Sequence, residues 1–230
     1  MERKKALLLV GSPKGLKSTS HALGSHLLRR LDAGGMEVVT LAVISAFDSL
    51  EKMTHVFEAM DATDLIIFSF PLYVDQLPAP LVRVLELIAE RREGLRAAGQ
   101  IGGMKDQDIM AIVQCGFPET RQNQLACDIM RQFAREAGYA WAGALAMGMG
   151  GAIAERPLEK AGGMVRNVVK ALDLAAGALV LGGSVPEEAV QLLGKPFIAK
   201  WLYLLMANYG MKKEAKKRGA RSRVYDRPYS

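Results

Sequence analysis

Residues 6–20, ALLLVGSPKGLKSTS, decide the fold. A short apolar run ends in a glycine, a Gly-Ser-Pro turn follows, and hydroxyl residues then introduce a helical pattern, which is the strand-turn-helix order that begins an α/β domain. The phosphate-binding P-loop pattern fits less well, because its second glycine, counted from Gly11, falls on Leu16. A leucine side chain would occupy the space where backbone approaches a phosphate. We therefore reject the P-loop as first choice.

Four further apolar runs resemble the first and are separated by segments of helical period. The runs are nearly continuous rather than alternating, which predicts strands covered on both faces in a mostly parallel sheet. With the first strand at 6–11, the others are predicted at 36–43, 64–70, 108–115 and 139–147. Helices are predicted at 18–32, 49–61, 79–92, 122–137 and 159–176. Such strand-helix repetition predicts right-handed crossovers and a three-layer α/β domain.

The C-terminal segment differs from this repeating part. Residues 187–194 (EEAVQLLG) predict a short helix, and residues 195–219 predict another that is apolar in its first half and basic in its second. Three interpretations stay open for this extension: a helix packed on the body, a homo-oligomer contact, or a membrane-surface anchor. We divide the chain into a domain at 1–182 and a helical extension with a basic tail at 183–230.

The formal charge of +6 is concentrated in the tail. Residues 212–227 hold eight Lys or Arg and two Asp or Glu, so the remaining 22 residues of each sign cancel. This distribution argues against a nucleic-acid groove across the body, and a solvated tail is its simplest interpretation. Only Cys115 and Cys127 occur, with neither disulfide-framework nor metal-site spacing, and no signal peptide is visible. We therefore expect no metal site and a cytoplasmic protein.

The carboxyl ends of parallel strands are where ligands bind in such a sheet. The loop after the first strand offers four hydroxyl side chains and the N–H groups of a helix start, which suit a phosphate. These hydroxyls belong to Ser12, Ser18, Thr19 and Ser20. The simpler alternative is that Ser18 or Thr19 only caps the helix. The loop after the third strand, SFPLYVDQLPAPL (69–81), carries three prolines and Tyr73, whose ring could stack on a flat ligand or simply cover the core.

Taken together, GSPKGLKSTSHAL (11–23) and DLIIFSFPLYVDQLPAPLVRVLELI (64–88) resemble the NAD(P)H-dependent FMN reductase family over about residues 5–150. The resemblance implies a flavodoxin-like three-layer sandwich with a five-stranded parallel sheet of order 2-1-3-4-5, here with a C-terminal helical extension. It also implies noncovalently bound FMN and reduction by NAD(P)H. The acceptor would be a small molecule such as a quinone, a nitro or azo compound, or free flavin. A homodimer or higher homo-oligomer is expected on the same ground, whereas peripheral membrane contact through the basic tail stays open as an alternative that is not favoured.

The same resemblance assigns cofactor contacts to individual residues. Carried over, it gives the FMN phosphate to Ser12, Ser18, Thr19 and Ser20, with Lys14 beside them, and the flavin ring to Pro71, Leu72, Tyr73 and Val74. Gly116 and Phe117, in the loop CGFPETRQNQ (115–124), are expected at the ring edge, although that loop also reads as an ordinary strand-to-helix turn. The family often has Arg after Gly-Ser-Pro and Gly-Asn before the hydroxyls, where this chain has Lys14 and Leu16-Lys17.

No catalytic side chain is assigned, since the flavin itself carries the redox chemistry. Cys115 is interpreted as a buried small residue rather than a redox thiol. The main rival to a reductase is a flavodoxin-type electron carrier without its own NAD(P)H activity. The neutral body and basic tail favour the enzyme over this carrier, because a strongly acidic surface would suit many such carriers.

Overall fold

The computed structural model describes residues 3–100, 106–153 and 157–227, and in it five strands form one sheet. The strands are β1 (Lys5–Val10), β2 (Glu37–Ala42), β3 (Leu65–Pro71), β4 (Asp108–Gln114) and β5 (Ala140–Met147). All neighbouring strands pair in parallel, in the order β2-β1-β3-β4-β5. The five predicted strands and their order are confirmed. Because the order reverses between β1 and β3, their carboxyl ends open a crevice at the sheet edge.

The helices of the first two thirds of the chain also lie where the sequence predicts them. They are α1 (Thr19–Ala33), α2 (Leu50–Asp61), α3 (Ala79–Ala97) and α4 (Gln124–Ala137). A single further turn, α5 (Gly150–Ile153), follows β5 and has no counterpart among the predicted helices. Helix α3 runs five residues past its predicted end at 92, and a 3₁₀ turn, Thr120–Asn123, precedes α4. The C-terminal helices are α6 (Arg166–Val180), α7 (Glu187–Gly194) and α8 (Lys200–Lys217).

The helix predicted at 159–176 is wrong at its start. Helix α6 begins at Arg166, after two short 3₁₀ segments, Leu158–Lys160 and Gly162–Val165. Gly162 has a φ of +71°, which an α-helix of L-residues does not accommodate, so the helical period of the sequence does not become a continuous helix there.

Two apolar cores lie on opposite faces of the sheet, because successive strand residues alternate between its faces. Leu8 belongs to the core formed with α1, α6 and α7, whereas Leu7 and Leu9 belong to the core formed with α2, α3 and α4. The three-layer sandwich is thereby confirmed. The expectation that every strand is covered on both faces is wrong for β2 and β5, which are partly exposed because they lie at the sheet edges.

The chain divides into two compact units, Met1–Phe197 and Ile198–Ser230. Helix α7 packs on α6 and β5 within the first unit, although the predicted extension begins at 183. The domain boundary after residue 182 stays a prediction. The second unit consists of α8 and the segment after it, with a 3₁₀ turn at Arg221–Arg223. Among the helices of the described residues, none combines the length and apolarity that a bilayer span requires.

Candidate functional site

A cleft of about 500 Å³ lies at the carboxyl ends of β1, β3 and β4, within the volume range of small-molecule sites. These strands are neighbours in the sheet, and Pro71 pairs with Gln114 at the last position of the β3–β4 register. The cleft is lined by Ser12, Lys14, Ser18, Thr19, Pro71, Leu72, Tyr73, Gln114, Cys115, Gly116, Gly150 and Gly151. The crevice expected from the strand order is therefore a real cavity.

The loop from Gly11 to Ser18 forms one wall and is wound on itself by hydrogen bonds. The Gly15 N–H donates to the Ser12 carbonyl at 2.8 Å, and the Lys17 N–H donates to the Lys14 carbonyl at 3.3 Å. Gly15 has a φ of +56°, which glycine adopts without steric cost. These consecutive turns lead into the N-terminus of α1 at the cleft. A helix N-terminus carries a partial positive charge and backbone N–H groups that have no partner within the helix.

The hydroxyl groups of this wall have distinct roles. Ser18 is the N-cap of α1: its Oγ accepts from the His21 N–H at 3.2 Å and donates to the Gly15 carbonyl at 2.7 Å. Ser18 therefore caps α1 and also lines the cleft. The Thr19 hydroxyl donates to the Gly150 carbonyl at 3.3 Å and so joins this wall to the segment after β5. Burial lowers the pKa of His21, just inside α1, which favours its neutral form.

The segment after β3 forms the second wall, and a tight turn carries its tip. Tyr73 and Gln76 exchange two backbone hydrogen bonds, of 2.9 and 3.0 Å, around Val74 and Asp75. Both central residues have positive φ, +50° and +58°. A valine in this region is a genuine outlier, and such strain persists where the surrounding structure imposes it. Below the turn, the Leu72 N–H donates to the Gln114 carbonyl at 2.8 Å and fixes the wall to the sheet.

The third wall joins the ends of β4 and β5. The Gly150 N–H donates to the Cys115 carbonyl, and the Met149 N–H donates to the Phe117 carbonyl, both at 2.8 Å. A Cβ at Gly150 would lie 1.8 Å from Gln114 Oε1, so a side chain there would displace the Gln114 amide from its position. This third wall is thus made of backbone and the buried amide of Gln114, which leaves room for a ligand.

Cys115 lies in this wall, and its thiol is enclosed by protein. Its side chain is buried, and that burial raises the pKa of the thiol above its ordinary value. The sulfur donates toward the Phe117 carbonyl at 3.7 Å and accepts from Asn123 Nδ2 at 3.5 Å. A protonated, enclosed thiol is a poor nucleophile, in agreement with the interpretation of Cys115 as a small buried residue.

The structure brings together eight of the eleven residues assigned to the cofactor. They are Ser12, Lys14, Ser18, Thr19, Pro71, Leu72, Tyr73 and Gly116. Three do not line the cleft. Ser20 is fully buried, and its Oγ has no hydrogen-bond partner among the described residues. Val74 is 97% exposed at the tip of its turn, and Phe117 is half exposed.

Gln114, Gly150 and Gly151 line the cleft without having been assigned to it. Gln114 is the one polar side chain among the six buried residues of the run DIMAIVQ (108–114), and its position at the carboxyl end of a strand is a usable signal. The glycine pair follows the fifth strand at the sequence Met-Gly-Met-Gly-Gly, where small residues permit close backbone approach.

These residues fit the group that the sequence resemblance implies. The N-terminal end of α1, with Ser12, Thr19 and Lys14 beside it, suits a phosphate. Pro71, Leu72 and the 44% exposed ring of Tyr73 offer a flat apolar surface across the cleft. A Cβ added to Gly116 would meet no atom of the described residues within 4 Å, its two chain neighbours aside, so space remains at that edge. The residues would hold an FMN with its phosphate at α1 and its ring along the β3 wall.

Fold and cleft together define an open parallel α/β protein with a cleft where the strand order reverses. The chain belongs to the family described as having a flavodoxin-like fold, whose match covers residues 4–150. A comparison with curated proteins found no match.

Solved structures of the same fold include several oxidoreductases. An NADH:FMN oxidoreductase in its apo form has a TM-score of 0.57 at 17% identity, over 84% of this chain and 96% of that one. An NAD(P)H:quinone oxidoreductase from Methanothermobacter marburgensis has a TM-score of 0.50 at 12% identity, over 75% and 98%. An FMN-dependent NADH-azoreductase from Bacillus anthracis, in complex with FMN, has a TM-score of 0.50 at 14% identity, over 77% and 100%. At these identities the likeness shows the shared fold.

Proposed function

We propose that this protein is an FMN-dependent oxidoreductase that passes electrons from NAD(P)H through bound FMN to a small acceptor, such as a quinone, a nitro or azo compound, or free flavin. One observation carries the proposal: the α1 loop, the Pro71–Tyr73 wall and Gly116 meet at a single cleft of about 500 Å³. The family, and the oxidoreductase names of proteins with the same fold, support it.

When bound, FMN would supply the hydride and electron transfer, so the protein has to bind, orient and partly shield it. The N-terminus of α1 and Lys14 offset the charge of the phosphate. The Leu72 N–H donates to the Gln114 carbonyl, two residues before Gly116, and so ties the segment after β3 to the end of β4. The cleft needs no side-chain acid or base for this chemistry, and a protonated Cys115 adds no second redox centre.

The test is a visible absorption spectrum of the purified protein, reconstituted with FMN if colourless, before and after anaerobic addition of NADPH or NADH. We expect flavin bands that bleach rapidly with the pyridine nucleotide alone. Bands that persist until a separate reductase is added would indicate that the protein is an electron carrier and not a reductase. Absence of any flavin binding, in a protein whose circular dichroism is that of a folded α/β domain, would contradict both functions.

A matched pair of variants ties the spectrum to the cleft. Lys14→Gln removes a cation from the phosphate side, whereas Lys170→Gln removes an exposed cation from α6, away from the cleft. We expect weaker FMN retention for the first and no change for the second. Homo-oligomer formation and a cytoplasmic location stay predictions, the former to be tested by sedimentation velocity.

A further inference from the structure

The second unit carries an exposed apolar stripe on α8. Trp201, Leu205 and Tyr209 follow at steps of four residues and are 69%, 60% and 70% exposed. Residues four apart lie on one face of a helix, so the three form a continuous surface. Met206 and Met211 of the same helix are also at least half exposed. A patch of this kind marks an interaction surface rather than a helix adapted to water.

Basic residues continue the same helix beyond this stripe. Four lysines, one arginine and Tyr209 line a cavity of about 620 Å³ at the end of α8, and none of the described residues that line it is acidic. The lining residues are Tyr209, Lys212, Lys213, Lys216, Lys217 and Arg221. The nearby carboxylate of Glu214 accepts from Arg218 Nε at 3.0 Å and lies 3.7 Å from Lys217 Nζ, so it offsets little of the cluster's charge.

We propose that α8 and residues 218–227 dock on the surface of an anionic lipid bilayer. Trp and Tyr side chains are enriched at the membrane–water interface, where an apolar ring body and a polar tip are both accommodated. Exposed Leu and Met side chains enter the acyl boundary, while clustered lysines bind acidic headgroups. The basic cavity follows directly on the apolar stripe, so both parts of the surface are engaged by one bilayer face.

The charge of this segment disfavours the other occupants. A second copy packed through α8 would bring two segments with eight basic and two acidic residues each into contact in a parallel arrangement. In an antiparallel arrangement, lysines of one copy would lie against the apolar stripe of the other. A nucleic acid would match the lysines but would leave Leu205 and Met206 with no complementary surface. Of these three occupants, a bilayer alone offers negative charge and an apolar layer side by side.

Vesicle co-sedimentation of the full chain tests the proposal, with phosphatidylcholine vesicles that contain or lack phosphatidylglycerol. We expect binding only to the anionic vesicles, with an affinity that falls as NaCl is raised. Each lysine near a surface of this kind contributes roughly a fivefold factor in affinity. Replacing Lys212, Lys213, Lys216 and Lys217 with Gln is therefore expected to lower vesicle binding by more than about 100-fold.

A charge-matched control separates the effect of the lysine cluster on vesicle binding from the effect of net charge. Four exposed lysines of the first unit are changed to Gln instead: Lys52, Lys160, Lys170 and Lys195. This variant has the same net charge as the cluster variant, and we expect it to bind anionic vesicles nearly as tightly as the unaltered protein. Equal loss in both variants would mean that overall charge, not the α8 surface, drives adsorption, and would overturn the proposal.

Trp201 provides an independent signal, since the only other tryptophan, Trp141, lies partly buried in β5. We expect a blue shift of tryptophan emission and quenching by bromine-labelled lipid when anionic vesicles are added. Both effects should disappear in Trp201→Phe. An unshifted spectrum with bound vesicles would contradict insertion of the stripe.

Two further outcomes would assign the surface to another partner. Failure to bind vesicles, together with a dimer that Trp201→Glu dissociates in sedimentation velocity, would give α8 to a second copy. Failure to bind vesicles, together with oligonucleotide binding that the cluster variant loses, would give it to nucleic acid. Either result overturns the proposal, and neither depends on whether the cleft binds FMN.

Discussion

The two long walls of the cleft differ in how they are held. On the α1 side, hydrogen bonds within the loop, the cap from Ser18 and the bond from Thr19 to Gly150 fix nearly every turn of the backbone. On the β3 side, one hydrogen bond fixes Leu72 to the sheet, and beyond it the chain projects into a turn with Val74 and Asp75 at positive φ.

This difference predicts that the two walls contribute differently to the stability of the fold and to FMN binding. The α1 loop is also the start of a helix that packs in one of the two cores, so its polar groups hold the fold and the ligand end together. The Tyr73 turn lies outside both cores, and its conformation is strained. We therefore expect changes on the α1 side to affect stability and FMN retention together, and changes on the β3 side to affect FMN retention alone.

The largest expected effect comes from filling the space between the walls. Gly116→Leu places a side chain where a Cβ meets no protein atom, so the fold is expected to lose less than about 0.5 kcal/mol. A ligand ring in that space would be overpacked by about 1–3 kcal/mol, which lowers FMN affinity by up to roughly 100-fold. Fluorescence titration with FMN measures the loss.

Gly94→Leu serves as the control, because a Cβ there also meets no atom of the described residues within 4 Å. Gly94 is an exposed residue of α3 and lies away from the cleft. We expect FMN affinity to be unchanged in this variant. If Gly116→Leu retained full affinity, the ring would not lie at the Gly116 edge, and the placement of FMN along the β3 wall would have to be abandoned.

A second prediction compares two serine caps. Ser18 and Ser49 each cap a helix by accepting from the N–H three residues on, at 3.2 Å in both cases. Replacing either by Ala should lower the free energy of unfolding by about 1 kcal/mol, measured by urea denaturation. Only Ser18→Ala should also weaken FMN binding, by roughly tenfold, because only its cap shapes the phosphate end. Equal FMN affinity in both variants would show that the α1 wall holds the fold but not the ligand.

The sequence predicted the sheet better than it predicted individual contacts in the cleft. Strand positions follow from apolar runs and glycine turns, which are local and strong signals, whereas the strand order was implied by the family resemblance. The direction of a side chain at a helix start is not local in this way. Ser18, Thr19 and Ser20 are consecutive, but each helical residue rotates by about 100°, so three hydroxyls cannot face one ligand. Ser20 accordingly points into the protein, where it is fully buried.

The remaining differences arise from long-range packing. The sequence after Tyr73 has no glycine or asparagine to indicate positive φ, so nothing local revealed that Val74 turns out to solvent. Gly150 and Gly151 reach the cleft only because the segment after β5 bonds back to the Cys115 and Phe117 carbonyls. Such contacts join residues more than thirty positions apart, and no pattern within either segment specifies them.

A third prediction concerns the ring of Tyr73. Tyr73→Ala removes an aromatic surface that is 44% exposed and outside both cores, so we expect an unchanged free energy of unfolding. Loss of stacking worth about 0.5–1.5 kcal/mol lowers FMN affinity by up to roughly tenfold. Tyr73→Phe keeps the ring and should keep the affinity, as measured by the same titration. A fall in stability for Tyr73→Ala would contradict the separation between the two walls.

The smallest effect is expected at Cys115, in the third wall of the cleft. Burial raises the pKa of this thiol, so it stays protonated up to and beyond its ordinary value of 9.0, and its deprotonation can destabilise the fold only as pH rises above that range. At pH 7 to 8 we expect alkylation by iodoacetamide, located by peptide mass mapping, to be negligible at Cys115. We also expect Cys115→Ala to change NAD(P)H-dependent turnover by less than about twofold, because the thiol contributes packing but no charge or electrons. Rapid alkylation of Cys115 at pH 7 with parallel loss of turnover would instead make this thiol a second redox group. The assignment of all electron transfer to the flavin would then fail.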